Sequence, residues 1–151
     1  YKFRLIVKTV FQCLINNLNK SELIPSVMKN ITIPATVNTP VVDFKETGKL
    51  LIRGRSLPEN VNQFYSPLIR WAKILHADKV IADIELEYIN SASAKKLLEI
   101  LKTIDRNCTV KEFIVNWFYE TDDEDSFENG KILQDLLKRA RFNFHKSQAM
   151  C

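Results

Sequence analysis

A single hydroxyl in this chain stands where a phosphate would be electrostatically welcome. The run Tyr88-Ile89-Asn90-Ser91-Ala92-Ser93 joins an alternating strand to a leucine-rich helix. At a helix start the first backbone N–H groups lack intrahelical partners, and the positive end of the helix dipole faces outward. Phosphate on Ser91 is favoured there, and it changes the local charge by about two units in one step. Lys95 and Lys96 lie within the first turns and screen such a group. The competing reading is structural, because Asn and Ser are preferred at helix starts whatever a protein does. Against it, the preceding strand puts Ser91 on the rim of a sheet, where partners reach it.

The remaining chemistry-bearing residues point to less. His76 ends a helical pattern and His145 lies near the C-terminus, neither with a Ser, Cys or carboxylate at useful spacing. There is no G-x-S-x-G elbow, no Gly-rich phosphate loop and no H-E-x-x-H. Asp83, Glu85 and Glu87 form a row of carboxylates at period two, read as a solvated strand face and not as a metal site, since no His or Asn alternates with them in the strand. The acids Asp122, Asp123, Glu124 and Asp125 precede a helix and complement its dipole. Trp117, Phe118 and Tyr119 are read as packing residues, not as base-stacking ones. No cofactor and no metal are expected. The rival to a switch is a small hydrolase or transferase with a site assembled in space, which predicts a deep pocket around His76 or the acidic strand.

Length and charge narrow the classes further. A chain of 151 residues suits one domain with a sizeable core. Its net charge of +4 is uneven: residues 1–27 hold Lys2, Arg4, Lys8 and Lys20 against Glu22, leaving +1 for residues 28–151. The main domain therefore has no field to attract nucleic acid. Cys13, Cys108 and Cys151 are odd in number and far apart, which is neither a disulfide framework nor a zinc site and fits a reducing cytoplasm. No apolar run reaches membrane-spanning length. Phe3–Leu18 has a basic flank and an apolar middle but no small-residue cleavage site after it. Residues 1–27 look foreign to the rest. Met28 opens Met-Lys-Asn-Ile-Thr-Ile-Pro and is read as the natural first residue, with an amphipathic docking arm as the alternative for 1–27.

These residues need a scaffold, and the pattern supplies one. Residues 28–40, with Pro34 and Pro40, read as an extended lead-in. Strands are expected over 41–46 and 49–56, joined by a Thr47-Gly48-Lys49 turn. A helix follows from about Pro58 to His76, capped by Ser56 or Asn60, and Pro67 should kink or split it. Residues 79–89 alternate as a strand, with Val80, Ala82, Ile84, Leu86 and Tyr88 on one side. A helix over 91–105, a strand over 109–120, a helix over 127–139 and a last strand over 142–145 complete the order β-β-α-β-α-β-α-β. The apolar face of the last helix is expected at Ile132, Leu133, Leu136 and Leu137. Strands 79–89 and 109–120 should lie parallel across their helix. The fold class expected is α/β (α+β), one mixed sheet of about five strands with three helices mainly on one face.

Four spaced motifs resemble a known family. Gly54-Arg55-Ser56-Leu57-Pro58-Glu59-Asn60, then Phe64-Tyr65-Ser66-Pro67-Leu68, then the 86–95 junction L-E-Y-I-N-S-A-S-A-K, then the 115–125 run V-N-W-F-Y-E-T-D-D-E-D resemble the SiaC-type family of bacterial regulatory phosphoproteins. The resemblance covers about residues 38–146, with the regulatory domain drawn at 41–147, and leaves 1–27 outside. It implies a fold similar to STAS-type anti-sigma-factor antagonists and a non-enzymatic, cytoplasmic partner switch. It further implies a dedicated kinase, a PP2C-type phosphatase, and a diguanylate cyclase bound by the unmodified form, with biofilm formation and aggregation downstream. The hydroxyl residue right after the junction Asn is the family's acceptor; here that is Ser91, where many relatives have Thr, with Ser93 in reserve. The implied partner surface is Asn90, Ser91 and Lys95 with Arg55, Ser56, Pro58, Glu59 and Asn60.

Overall fold

Val80, Ala82, Ile84 and Leu86 alternate with polar neighbours, and that alternation sets the two faces of the molecule. The computed structural model describes residues 28–147, so the readings made of residues 1–27 lie outside the described residues. Six strands form one sheet: β1 (Ile31–Ile33), β2 (Val41–Phe44), β3 (Lys49–Ser56), β4 (Lys79–Ile89), β5 (Glu112–Glu120) and β6 (Arg141–Ser147). They lie in sequence order. The pairs β1–β2 and β2–β3 are antiparallel, and β3 through β6 run parallel. The three crossovers are helices: α1 (Val61–Ile74), α2 (Ser91–Asp105) and α3 (Glu124–Leu136).

The three helices among the described residues all contribute to one core with one face of the sheet. Phe44, Ile52, Ile84, Val115 and Trp117 meet Tyr65 and Leu68 of α1, Leu97 and Leu101 of α2, and Leu133 of α3. The other face is polar and wet. Across it Asn116 donates to Asp83 at 2.7 Å, Asn143 donates to Asn116 at 3.1 Å, and the Arg53–Glu85 ion pair closes at 3.5 Å. The carboxylate row of β4 is thus tied into a surface network.

Several boundaries differ from the sequence reading, each for a physical reason. The lead-in contains a sixth strand, since Ile31–Ile33 pairs with β2, and three residues before a proline are too few to show a period. Pro67 does not split α1. The buried stripe Tyr65, Leu68, Ile69, Trp71 and Ala72 runs across it, and tertiary packing outweighs one missing N–H donor. α3 starts three residues earlier than its apolar pattern, because the Asp123 carboxylate caps it by accepting from the Ser126 N–H at 2.8 Å. Its expected apolar face is also rotated. Leu133 and Leu137 are buried, whereas Ile132 is 55% and Leu136 46% exposed.

β4 carries the largest surprise. Gly54 pairs with Leu86 but Arg55 pairs with Tyr88, so Glu87 is an extra residue in a bulge. The slip exchanges the faces of the next two residues. Tyr88 turns to the open face, where the Arg55 guanidinium lies 5.8 Å from its ring centroid, and Ile89 turns to the helix side. Gly54, at φ 118°, takes a conformation that L side chains rarely adopt at the matching point on β3.

Asp105 secures the far end of α2. Buried there, its carboxylate accepts the backbone N–H groups of Lys138 (2.9 Å), Arg139 (2.9 Å) and Ala140 (2.8 Å). This fixes the connection between α3 and β6 to the end of α2, and so fixes how the two helices lie side by side.

Candidate functional site

Ser91 is the first residue of α2 and is exposed. Asn90 is the cap: its side chain accepts the Ser93 N–H at 2.8 Å, and its backbone is extended at φ −80°, ψ 165°. The cap explains why the helix begins where it does. It also leaves the Ser91 hydroxyl free of the capping role that a serine at Asn90 would have carried. Lys95, one turn later on the same side, is exposed; Lys96 is engaged with Glu99 at 3.3 Å.

The second half of the expected surface is held against the first by the backbone. The Asn90 N–H donates to the Ser56 carbonyl at 3.1 Å, so the ends of β3 and β4 are locked together. Beyond Ser56 the chain turns through Leu57, whose N–H donates to the Asn38 carbonyl at 2.9 Å. Asn60 then caps α1 by accepting from the Gln63 N–H at 3.0 Å. Arg55, Glu59 and Asn60 are exposed and Pro58 is half-buried. The structure therefore brings Asn90, Ser91, Arg55, Pro58, Glu59 and Asn60 to one end of the sheet, the carboxyl end of its parallel strands. Ligands and partners of parallel α/β sheets commonly sit at that end.

Two expected members are not on the surface. Ser56 is fully buried and its hydroxyl is 2.6 Å from the Tyr65 hydroxyl, so it cannot touch a partner. Ser93 is fully buried too, which removes it as the reserve acceptor in the folded chain. Its position two residues after Ser91 turns it inward, toward the same phenol. Burial raises the Tyr65 pKa above its ordinary 10.0, and the Ser56 hydroxyl bonded to it pulls it partly back. The native state thus keeps the phenol proton at a pH where the unfolded chain releases it. Fewer protons bound in the unfolded state means that stability falls as pH rises past about 10.

The Ser56–Tyr65–Ser93 cluster was not legible in the sequence, and it makes two expectations. Ser93 Oγ is the buried side-chain polar atom without a hydrogen-bond partner among the described residues. Ser93→Ala should therefore leave thermal stability unchanged or raise it by up to about 1 kcal/mol, read from the melting temperature. Tyr65→Phe strands the Ser56 hydroxyl instead and should cost about 1–3 kcal/mol in a denaturant titration.

The two histidines that a spatially assembled hydrolase site would use do not converge with each other. His145 lies on the open face, stacked on Phe118 at 4.7 Å and 3.3 Å from Asn116 Oδ1, while His76 is exposed just past the end of α1. Among the described residues, no three His, Cys, Asp or Glu side chains gather where they would hold a metal ion. No helix among them is long and apolar enough to cross a membrane.

Comparison with known proteins gives the family and the fold. The model of the SiaC family of regulatory phosphoproteins matches residues 33–147. The chain belongs to the SiaC family. A curated protein of Pseudomonas aeruginosa strain UCBPP-PA14 is 30% identical over 82 residues, spanning 52% of this chain and 65% of that protein. That match covers less than two thirds of the relative's length. The crystal structure of apo-SiaC from Pseudomonas aeruginosa superposes with a TM-score of 0.68 at 24% identity, covering 78% of this chain and 99% of that one. SiaC in complex with the diguanylate cyclase SiaD, whose activator it is, superposes equally well at 0.68, with 23% identity over the same shares. At these identities the superpositions establish a shared fold. The SiaC fold and the mixed sheet with three helices are thus as the sequence motifs implied.

Proposed function

We propose that this SiaC-family protein is a non-enzymatic partner switch controlled by phosphorylation of Ser91. In this reading a dedicated kinase modifies Ser91, a PP2C-type phosphatase restores it, and the unmodified form binds and activates a diguanylate cyclase in the cytoplasm. The observation that carries the reading is the exposed Ser91 hydroxyl at the first position of a capped helix, in a chain whose family is one of regulatory phosphoproteins. The complex of SiaC with the cyclase SiaD supports the class of partner.

The chemistry follows from placement. Ser91 projects from the rim with the helix dipole behind it and Lys95 one turn away, so a phosphate on the free protein is stabilised. Inside an interface the same dianion must shed its water, and one lysine does not compensate that loss. The free phosphorylated form is therefore favoured over the bound one. Asn90, Arg55, Pro58, Glu59 and Asn60 complete the surface around the switch, while Ser56 and Ser93 support it from below.

Peptide mapping by mass spectrometry of the protein purified from its own host tests the acceptor. Phosphate is expected on Ser91 and absent from Ser93. A chain phosphorylated elsewhere, with Ser91 unmodified under every growth condition, would overturn the assignment.

A further inference from the structure

Resting on the switch reading above, we propose that phosphorylation of Ser91 closes a buried chain of three hydroxyls, Ser56–Tyr65–Ser93, which ties the start of α2 to the end of β3. The chain is open in the structure. The Ser56 and Tyr65 hydroxyls are 2.6 Å apart, whereas Ser93 Oγ faces the same phenol without a hydrogen bond. All three residues are fully buried, so bulk water does not stand in for the missing partner. A buried hydroxyl left unpaired is costly and uncommon. This one lies two residues from the phosphate acceptor and beside a phenol with bonding capacity to spare. That combination points to a second arrangement in which Ser93 is paired.

The proton count allows it. The existing pair uses one hydroxyl proton, and each oxygen both donates and accepts. With Ser56 as the donor, Tyr65 keeps its own proton for Ser93. The closed chain then runs from the Ser56 O–H to Tyr65 Oη, and from the Tyr65 O–H to Ser93 Oγ. No proton is gained or lost, and the first pair stays intact. The one movement required is the approach of Ser93 Oγ to the phenol.

The first turn of α2 supplies that movement. Asn90 Oδ1 holds the Ser93 N–H at 2.8 Å, and the Asn90 carbonyl holds the Ala94 N–H at 2.9 Å. The N–H groups of Ser91 and Ala92 have no carbonyl one turn back in the helix. A phosphate on Ser91 accepts from them and draws the turn toward itself. Ser93 follows, and its inward hydroxyl closes on Tyr65. The phenol stays in place, since its ring packs edge-on to Phe64 at 5.0 Å in the interior of α1. Ser56 is the last residue of β3, and its carbonyl accepts the Asn90 N–H at 3.1 Å. The closed chain therefore links the phosphorylated helix start to the turn through Pro58, Glu59 and Asn60, which belongs to another segment.

Carbon-13 NMR of the full chain with labelled tyrosine decides it, because the ring carbon bearing the hydroxyl responds to that hydroxyl's hydrogen bonds. The spectrum of Tyr65→Phe assigns the Tyr65 signal by its loss. Stoichiometric phosphorylation of Ser91 should move that signal in the wild type and leave it in place in Ser93→Ala. Ser93→Ala keeps the field of the phosphate, so an equal shift in both chains comes from charge alone and overturns the proposal. A wild-type signal that does not move overturns it as well. Titration into the purified diguanylate cyclase of the same bacterium gives the second readout. The ratio of affinities between unmodified and phosphorylated chain should shrink about fivefold or more in Ser93→Ala. Tyr65→Phe should shrink it equally, and the double variant no further, since both remove one link. Ratios equal to that of the wild type mean that the chain carries nothing to the partner surface; the proposal is then wrong and the switch stands. If phosphorylation moves the Tyr65 signal but leaves wild-type affinity unchanged, the switch reading is what fails, and the closing of the hydroxyl chain is upheld.

Discussion

Ser91→Asp should weaken cyclase binding by about ten- to a hundredfold, while Ser91→Ala should bind like the wild type. The asymmetry is the informative part. Alanine removes one hydroxyl from a solvent-exposed helix start whose cap is Asn90, so neither the helix nor the surface loses a necessary contact. Aspartate introduces one full charge that has to be desolvated when a partner closes over the rim. An unpaired charge buried in an interface costs several kcal/mol, and Lys95 offsets only part of it. Aspartate carries about half the charge of a phosphate at neutral pH, so the mimic sets a lower bound on the true switch. Both variants should melt within about 0.5 kcal/mol of the wild type in stability, since the site is exposed. A loss of binding in Ser91→Ala equal to that in Ser91→Asp would show that the hydroxyl itself is a contact, and the charge argument would fail.

The second large effect lies at the opposite end of the same helix. Asp105→Ala should destabilise the fold by about 3–5 kcal/mol, measured by urea unfolding. Three backbone N–H groups, of Lys138, Arg139 and Ala140, lose their acceptor together in a site that water reaches poorly. Hydrogen bonds to a charged acceptor are the stronger kind, and each stranded donor adds its own desolvation. Asp105→Asn keeps one acceptor oxygen and should cost less than Asp105→Ala. A wild-type urea midpoint for Asp105→Ala would contradict the role assigned to the carboxylate.

The parts legible in the sequence were those governed by local periodicity. β3 and α2 fall where the pattern put them, Lys49–Ser56 and Ser91–Asp105, because the alternation, the leucine stripe and the Asn90 cap all agree there. The junction serine was visible for the same reason. What escaped were features that exist only between segments. The β4 bulge depends on how Gly54 pairs with a neighbouring strand, and no one-strand pattern reports it. Ser93 looked equivalent to Ser91 by type, yet two residues along a helix turn a side chain slightly past a half-circle, from solvent into the core. The resemblance put Ser56 on the partner surface, but Tyr65, nine residues on, claims its hydroxyl. On α3 the leucines and isoleucine were all assigned inward, since an amphipathic pattern cannot separate residues that pack within the domain from those left exposed.

One titration addresses the central claim most directly. The chain phosphorylated stoichiometrically on Ser91, and the same chain unmodified, are each titrated into the purified cyclase. The unmodified chain should bind, and the phosphorylated chain should bind about a hundredfold more weakly or not at all, a difference of about 2.7 kcal/mol or more. Equal affinities of the two forms would contradict the account.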